Sequence, residues 1–74
     1  MKEKEKLINI LKEIYDVFKC YLSTSELFFM VNGEGNFVTG VSKNQISSAL
    51  HKNTKFSRVK KGNEVYYYVE EWLV

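Results

Sequence analysis

Seventy-four residues with eleven Lys/Arg against nine Asp/Glu give a formal net charge of +2, with one cysteine and one histidine. Such a chain makes one domain, spanning residues 1–74, that buries only about 60% of the surface its unfolded form exposes. One cysteine excludes an internal disulfide, and Cys20 with His51 falls short of the several Cys/His ligands that structural zinc requires.

The first long segment predicts a helix from about Glu3 to Leu22. Leu7, Leu11, Ile14 and Phe18 fall at helical spacing, and Ile10, Ile14, Val17 and Tyr21 form an adjacent stripe. Within this apolar stripe Cys20 reads as a buried small hydrophobe in a reducing cytosol. Ile8 and Tyr15 widen the face beyond the needs of one small core. They either line its margin or mark a dimer contact through this helix. Lys12, Glu13, Asp16 and Lys19 interrupt the apolar run, so it fits neither a signal peptide nor a membrane span. The expectation is a soluble, cytoplasmic protein.

Ser23 and Glu26 have capping-box spacing. They should open a second helix running to about Val31, with Leu27, Phe28, Met30 and Val31 inward. Asn32-Gly33 is a helix stop, since both tolerate the left-handed conformation. Gly33-Glu34-Gly35-Asn36 follows as a loop, Phe37-Val38-Thr39 as a short strand or core anchor, and Gly40 as another turn. A third helix starts near Ser42, which has capping-box spacing to Gln45. Its apolar contacts are only Ile46, Ala49 and Leu50, so most of its circumference is exposed. The last third reads as β structure, with strands at Phe56–Lys60 and Glu64–Glu70 joined through Gly62-Asn63. Val65, Tyr67 and Val69 alternate onto the core face. Tyr66 and Tyr68 take the other, to pack on a helix or to stack on bases. Trp72-Leu73-Val74 folds back on the first helix or engages a partner.

Between Gly35 and Asn63 there is no acidic residue and six basic ones: Lys43, Lys52, Lys55, Arg58, Lys60 and Lys61. The remaining residues hold five Lys/Arg and all nine acids, so a +6 segment is attached to a −4 segment. One-sided basic charge is the footprint of a surface that meets phosphates. On a helical wheel, Asn44, Ser48, His51 and Lys55 point away from Ile46, Ala49 and Leu50 if the helix reaches Lys55. Gln45, Ser47 and Lys52 flank them. Amide, hydroxyl and ammonium groups without an acid suit a helix in the major groove, where Asn or Gln pairs with adenine and Lys holds phosphates. A solvated polar face is the alternative, and the single sign of the charge favours recognition. In the hairpin, Arg58, Lys60 and Lys61 suit the DNA backbone or a narrow minor groove, or else guard a strand edge. No acid stands near His51 to make it a catalytic base, no Gly-rich phosphate loop or paired carboxylate occurs, and neither an enzyme nor a cofactor is expected.

The order helix, helix, short strand or loop, helix, hairpin resembles a winged helix-turn-helix domain over roughly Leu7 to Val69. It is also similar to small winged-helix modules of RNA polymerase or of replication proteins of mobile elements. The resemblance implies an α+β fold of three helices and a C-terminal hairpin wing. It makes the third helix the recognition helix, with Lys43, Asn44, Ser47, Ser48, His51 and Lys52 on the matching face and a basic wing tip on the backbone or minor groove. The implied role is a DNA-binding transcriptional regulator or replication accessory factor. Two alternatives stand beside it. One is a single-stranded DNA binder of a phage or mobile element that stacks bases on Tyr66 and Tyr68. The other is a protein-interaction module, or a homodimer, using the first helix and the C-terminal tail.

Overall fold

The computed structural model describes residues 2–33 and 40–74. Their elements are helix α1 (Lys2–Val17), strand β1 (Leu22–Ser23), helix α2 (Thr24–Asn32), helix α3 (Lys43–Asn53), strand β2 (Thr54–Lys61) and strand β3 (Glu64–Trp72). The class is α+β, with three helices and a three-stranded antiparallel sheet in the order β1-β3-β2 among the described residues. The loop expected at Glu34-Gly35-Asn36 and the strand or anchor expected at Phe37-Val38-Thr39 lie outside the described residues.

Both capping boxes form. Ser23 Oγ accepts from the Glu26 amide at 3.0 Å, and the Glu26 carboxylate accepts from the Ser23 amide at 3.1 Å. Ser42 Oγ accepts from the Gln45 amide at 3.1 Å, and Gln45 Oε1 accepts from the Ser42 amide at 2.8 Å. Each cap satisfies amides that a helix start otherwise leaves open, worth about 1 kcal/mol. The stop of α2 differs from expectation, because Gly33 is right-handed (φ −65°). The Asn32 side chain does the work instead. It donates to the Phe28 and Val41 carbonyls at 3.0 and 2.9 Å and accepts from the Val41 amide at 2.7 Å, tying the end of α2 to the approach to α3. Among the described residues the left-handed glycines are Gly40 (φ 78°) and Gly62 (φ 61°).

The first helix is shorter than its apolar spacing predicts. It stops at Val17, which is 72% exposed, and Leu22-Ser23 turns into β1 against Tyr67 and Tyr66 of β3. Strand pairing over more than forty residues thus overrides local helical spacing. Two further expectations fall with it. Cys20 lies beyond the helix and is exposed rather than buried. Tyr15 is neither margin nor dimer contact: it is buried, and its hydroxyl donates to the Tyr67 carbonyl at 2.9 Å. Burial, with smaller contributions from Cys20, Glu26 and Tyr67, pushes the Tyr15 phenol well above its ordinary 10.0. Ile8 is half-buried.

Leu11, Leu27, Val31, Ile46 and Leu50 are the largest fully buried side chains, so all three helices meet in one core with Tyr67 and Val69 of β3. Phe28, expected inward, is exposed. At the open end of the hairpin Trp72 packs on this core, with the Lys12 ammonium 5.7 Å from its ring centroid. The side chains of Leu73 and Val74 are exposed, but the Val74 carbonyl accepts from the Lys12 ammonium at 3.4 Å and the Leu73 amide donates to the Asn53 carbonyl at 2.8 Å, so the tail returns to the first helix as expected, through its backbone beyond Trp72.

Candidate nucleic-acid interface

The third helix presents its polar face because its core face is so narrow. Ile46, Ala49, Leu50 and Asn53 are buried, while Lys43, Asn44, Gln45, Ser48, His51 and Lys52 are exposed. The helix ends at Asn53 and passes into β2 without an intervening residue. Asn53 Nδ2 donates to the Ala49 carbonyl at 2.9 Å, and Thr54 Oγ1 donates to the Leu50 carbonyl at 2.6 Å. These bonds close the last turn and fix the direction in which the hairpin leaves. Lys55 is therefore on β2 and not on the helical face with Asn44 and Ser48, as the wheel expected.

Each remaining candidate has a definite place. Asn44, Ser48 and Lys52 are exposed and make no side-chain hydrogen bond, ion pair or ring contact with other described residues. Ser47 is half-buried and turned to the sheet, its Oγ 3.2 Å from the Tyr67 hydroxyl. His51 is exposed, but its ring stands edge-on to Phe56 at 4.7 Å between centroids and 6.1 Å from Tyr67. Ser47 and His51 thus dock α3 on the hairpin. Lys43 leans to α2, donating to Ser25 Oγ at 3.2 Å with its ammonium 5.8 Å from the Phe28 ring centroid.

Strand pairing sorts the hairpin cations. Residues directly opposite share a face. Phe56, Arg58 and Lys60 stand opposite Val69, Tyr67 and Val65, so they lie on the face that carries the core and α3. Lys55 and Lys61 stand opposite Glu71 and Glu64, on the other face. Arg58 and Lys60 therefore have apolar cross-strand partners, whereas Lys55 and Lys61 each face a carboxylate. Glu64 also accepts from Ser25 Oγ at 3.2 Å, which anchors the β3 side of the turn to the start of α2.

The exposed candidates are thus Asn44, Ser48 and Lys52 on α3, and Arg58 and Lys60 on the side of β2 on which α3 docks. Tyr67, the residue that organises them, is missed by reading charge along the chain. Its alternation with Val65 and Val69 marks it as core, but nothing local tells that its hydroxyl holds Ser47. Tyr66 and Tyr68 lie on the opposite sheet face, with Tyr68 against Tyr21 at 5.6 Å rather than against a helix. Among the described residues no group of three or more His, Cys, Asp or Glu could hold a metal ion, and no helix is long and apolar enough to cross a membrane. Comparison with protein-family models, with curated proteins and with solved structures finds no match.

Proposed function

We propose that this chain is a small winged-helix protein that binds duplex DNA through α3 and the α3-facing side of its hairpin, in a transcriptional or replication-accessory role in the cytoplasm and without catalysis. The observation that carries the reading is the joined set Lys52, Arg58 and Lys60: exposed, of one sign and without an acidic partner among the described residues. A helix that exposes Asn44 and Ser48 beside such cations has both halves of a DNA-reading surface. The amide can pair with adenine, and the cations hold phosphates on either side. Arg58 is the group suited to a narrow minor groove beside the helix.

The single-strand alternative loses support from the same pairing. Its stacking residues, Tyr66 and Tyr68, share their face with Glu64, Glu70 and Glu71 as well as Lys55 and Lys61. A phosphate backbone tracking over those tyrosines would meet more acids than bases.

The test is fluorescence anisotropy of labelled duplex and single-stranded DNA at several salt concentrations. Neutralising about three or four phosphates, through Lys52, Arg58, Lys60 and Lys43, gives a slope of log K against log salt of about −3 to −4 on duplex. Asn44→Ala should change preference among sequences while leaving non-specific binding intact. Absence of duplex binding at low salt, or salt-insensitive binding, would overturn the reading.

A further inference from the structure

The core lies on one side of the sheet; on the other side Lys55, Val59 and Lys61 of β2 are exposed, while Glu64, Tyr66 and Tyr68 of β3 are half-buried, with Ser25 bonded to Glu64 and Tyr21 resting on Tyr68. From the turn to the open end the rungs of this other side are Lys61 opposite Glu64, Val59 opposite Tyr66, Ser57 opposite Tyr68 and Lys55 opposite Glu71. Charged rungs therefore close both ends, and a tyrosine-rich centre lies between them, its apolar part Val59, Tyr66 and Tyr68 beside a Ser57–Glu70 hydrogen bond of 3.0 Å. Val59 is 44% exposed and Tyr21, whose ring leans on Tyr68, is 45% exposed. A tyrosine-bearing centre with a charged rim is the anatomy of a protein interface. Both rim lysines are on β2 and both opposing glutamates on β3, and this division makes the face complementary to itself.

We propose that this face receives a second copy of the chain, in a two-fold dimer whose axis runs along the strands between β2 and β3. Such an axis lays β2 of each copy over β3 of the other and keeps the strand ends in step. Lys61 then meets the partner's Glu64, and Lys55 meets the partner's Glu71. Val59 and Ser57 cover the partner's Tyr66 and the partner's Tyr68. An axis across the strands would instead set Lys61 over the partner's Lys55, and like charges repel it. The other face is already taken up by the core and α3. The contact is isologous, as closed dimers require, and it packs sheet on sheet with the apolar centres facing.

Docking sheet to sheet leaves α3 of both copies on the outer sides of the dimer. On the DNA-binding reading, on which this consequence alone rests, the dimer holds two separate duplex segments instead of two adjacent half-sites.

Sedimentation equilibrium over a concentration series tests the dimer, expected with a Kd in the micromolar range for a small interface. Lys55→Glu and Glu71→Lys should each weaken it roughly tenfold or more, because each puts like charge over like charge. An equimolar mixture of the two variants should dimerise again, since opposite signs then meet at both ends; circular dichroism checks that each variant is folded. Should a charge variant unfold, Val59→Glu at the exposed centre reads the same contact. Wild-type protein that stays monomeric at millimolar concentration overturns the proposal. So does a dimer indifferent to all three substitutions, or a monomer whose sheet face captures single-stranded DNA and loses it on Tyr68→Ala. A dimer that behaves as expected but ignores duplex DNA upholds this proposal and overturns the DNA-binding reading separately.

Discussion

The two faces of the β2–β3 hairpin carry two cations each and opposite chemistry. Arg58 and Lys60 stand opposite Tyr67 and Val65, with no carboxylate across the ladder. Lys55 and Lys61 stand opposite Glu71 and Glu64. Cross-strand pairs of opposite charge attract by roughly 0.2–1 kcal/mol, and a carboxylate across the ladder lowers the positive potential its lysine sets up. A run of basic residues along a strand is thus not a basic surface. The period of two divides it, and the partner strand decides which half remains charged.

The largest blow to this division is Tyr67→Ala. Tyr67 is buried, packs its ring on Phe56 at 5.4 Å and meets Ser47 through its hydroxyl, so it fixes which face α3 covers. Loss of a buried aromatic costs about 3–5 kcal/mol, a large share of the stability of a domain this small. Urea unfolding should show it as a fall in midpoint. A loss under about 1 kcal/mol, the value of a single hydrogen bond, would mean that the hairpin is held to α3 by other contacts.

Next in size is the contrast between two double variants. Arg58→Ala with Lys60→Ala should make the salt dependence of duplex binding shallower by about 2, since each lost phosphate contact removes about 0.9. Lys55→Ala with Lys61→Ala should change it by less than half as much, because Glu71 and Glu64 stand opposite them on the ladder and lower the potential there. Equal changes would erase the distinction between the faces and return all four cations to one surface.

How much of this was legible in the sequence depends on the range of the interaction responsible. The caps at Ser23/Glu26 and Ser42/Gln45 were readable because the box closes within three residues. The core faces of α3 and β3 were readable because Ile46, Ala49 and Leu50, and Val65, Tyr67 and Val69, follow the helical and strand periods. The end of α1 was not. Phe18 and Tyr21 continue its spacing, and only pairing of Leu22 and Ser23 with Tyr67 and Tyr66 removes that stretch from the helix. Lys55 was placed on the wrong element for a related reason. No Gly or Pro separates α3 from β2, and the stop is made by the Asn53 and Thr54 side chains bonding back to Ala49 and Leu50. Of the candidate site, the residue types were visible, but their division between two faces needed the ladder.

A smaller effect is expected at the entry to α3. Ser42→Ala removes one half of a capping box and should cost about 1 kcal/mol. The change leaves the charge of both hairpin faces untouched, so duplex affinity at a temperature where the variant is fully folded should hold. A fall in affinity comparable to the loss of Arg58 and Lys60 would mean that the Ser42 hydroxyl itself meets DNA.

The smallest effect at neutral pH concerns Tyr15, which ties α1 to the core side of the sheet through the Tyr67 carbonyl. Its phenol ionises less readily in the folded chain than its ordinary 10.0 allows, because burial disfavours the charged form. Below that pH folded and unfolded chains both hold the proton, and the group adds no pH dependence. As pH rises past it the unfolded chain releases the proton while the folded chain keeps it, so stability falls with pH. Tyr15→Phe should therefore lower stability by about 1 kcal/mol at pH 7, for the lost hydrogen bond, and also flatten the alkaline decline. Unfolding midpoints of the two proteins should converge as pH climbs above 10.0. Parallel curves would mean that water reaches the Tyr15 hydroxyl, and that α1 seals the core side of the sheet less tightly than its buried tyrosine implies.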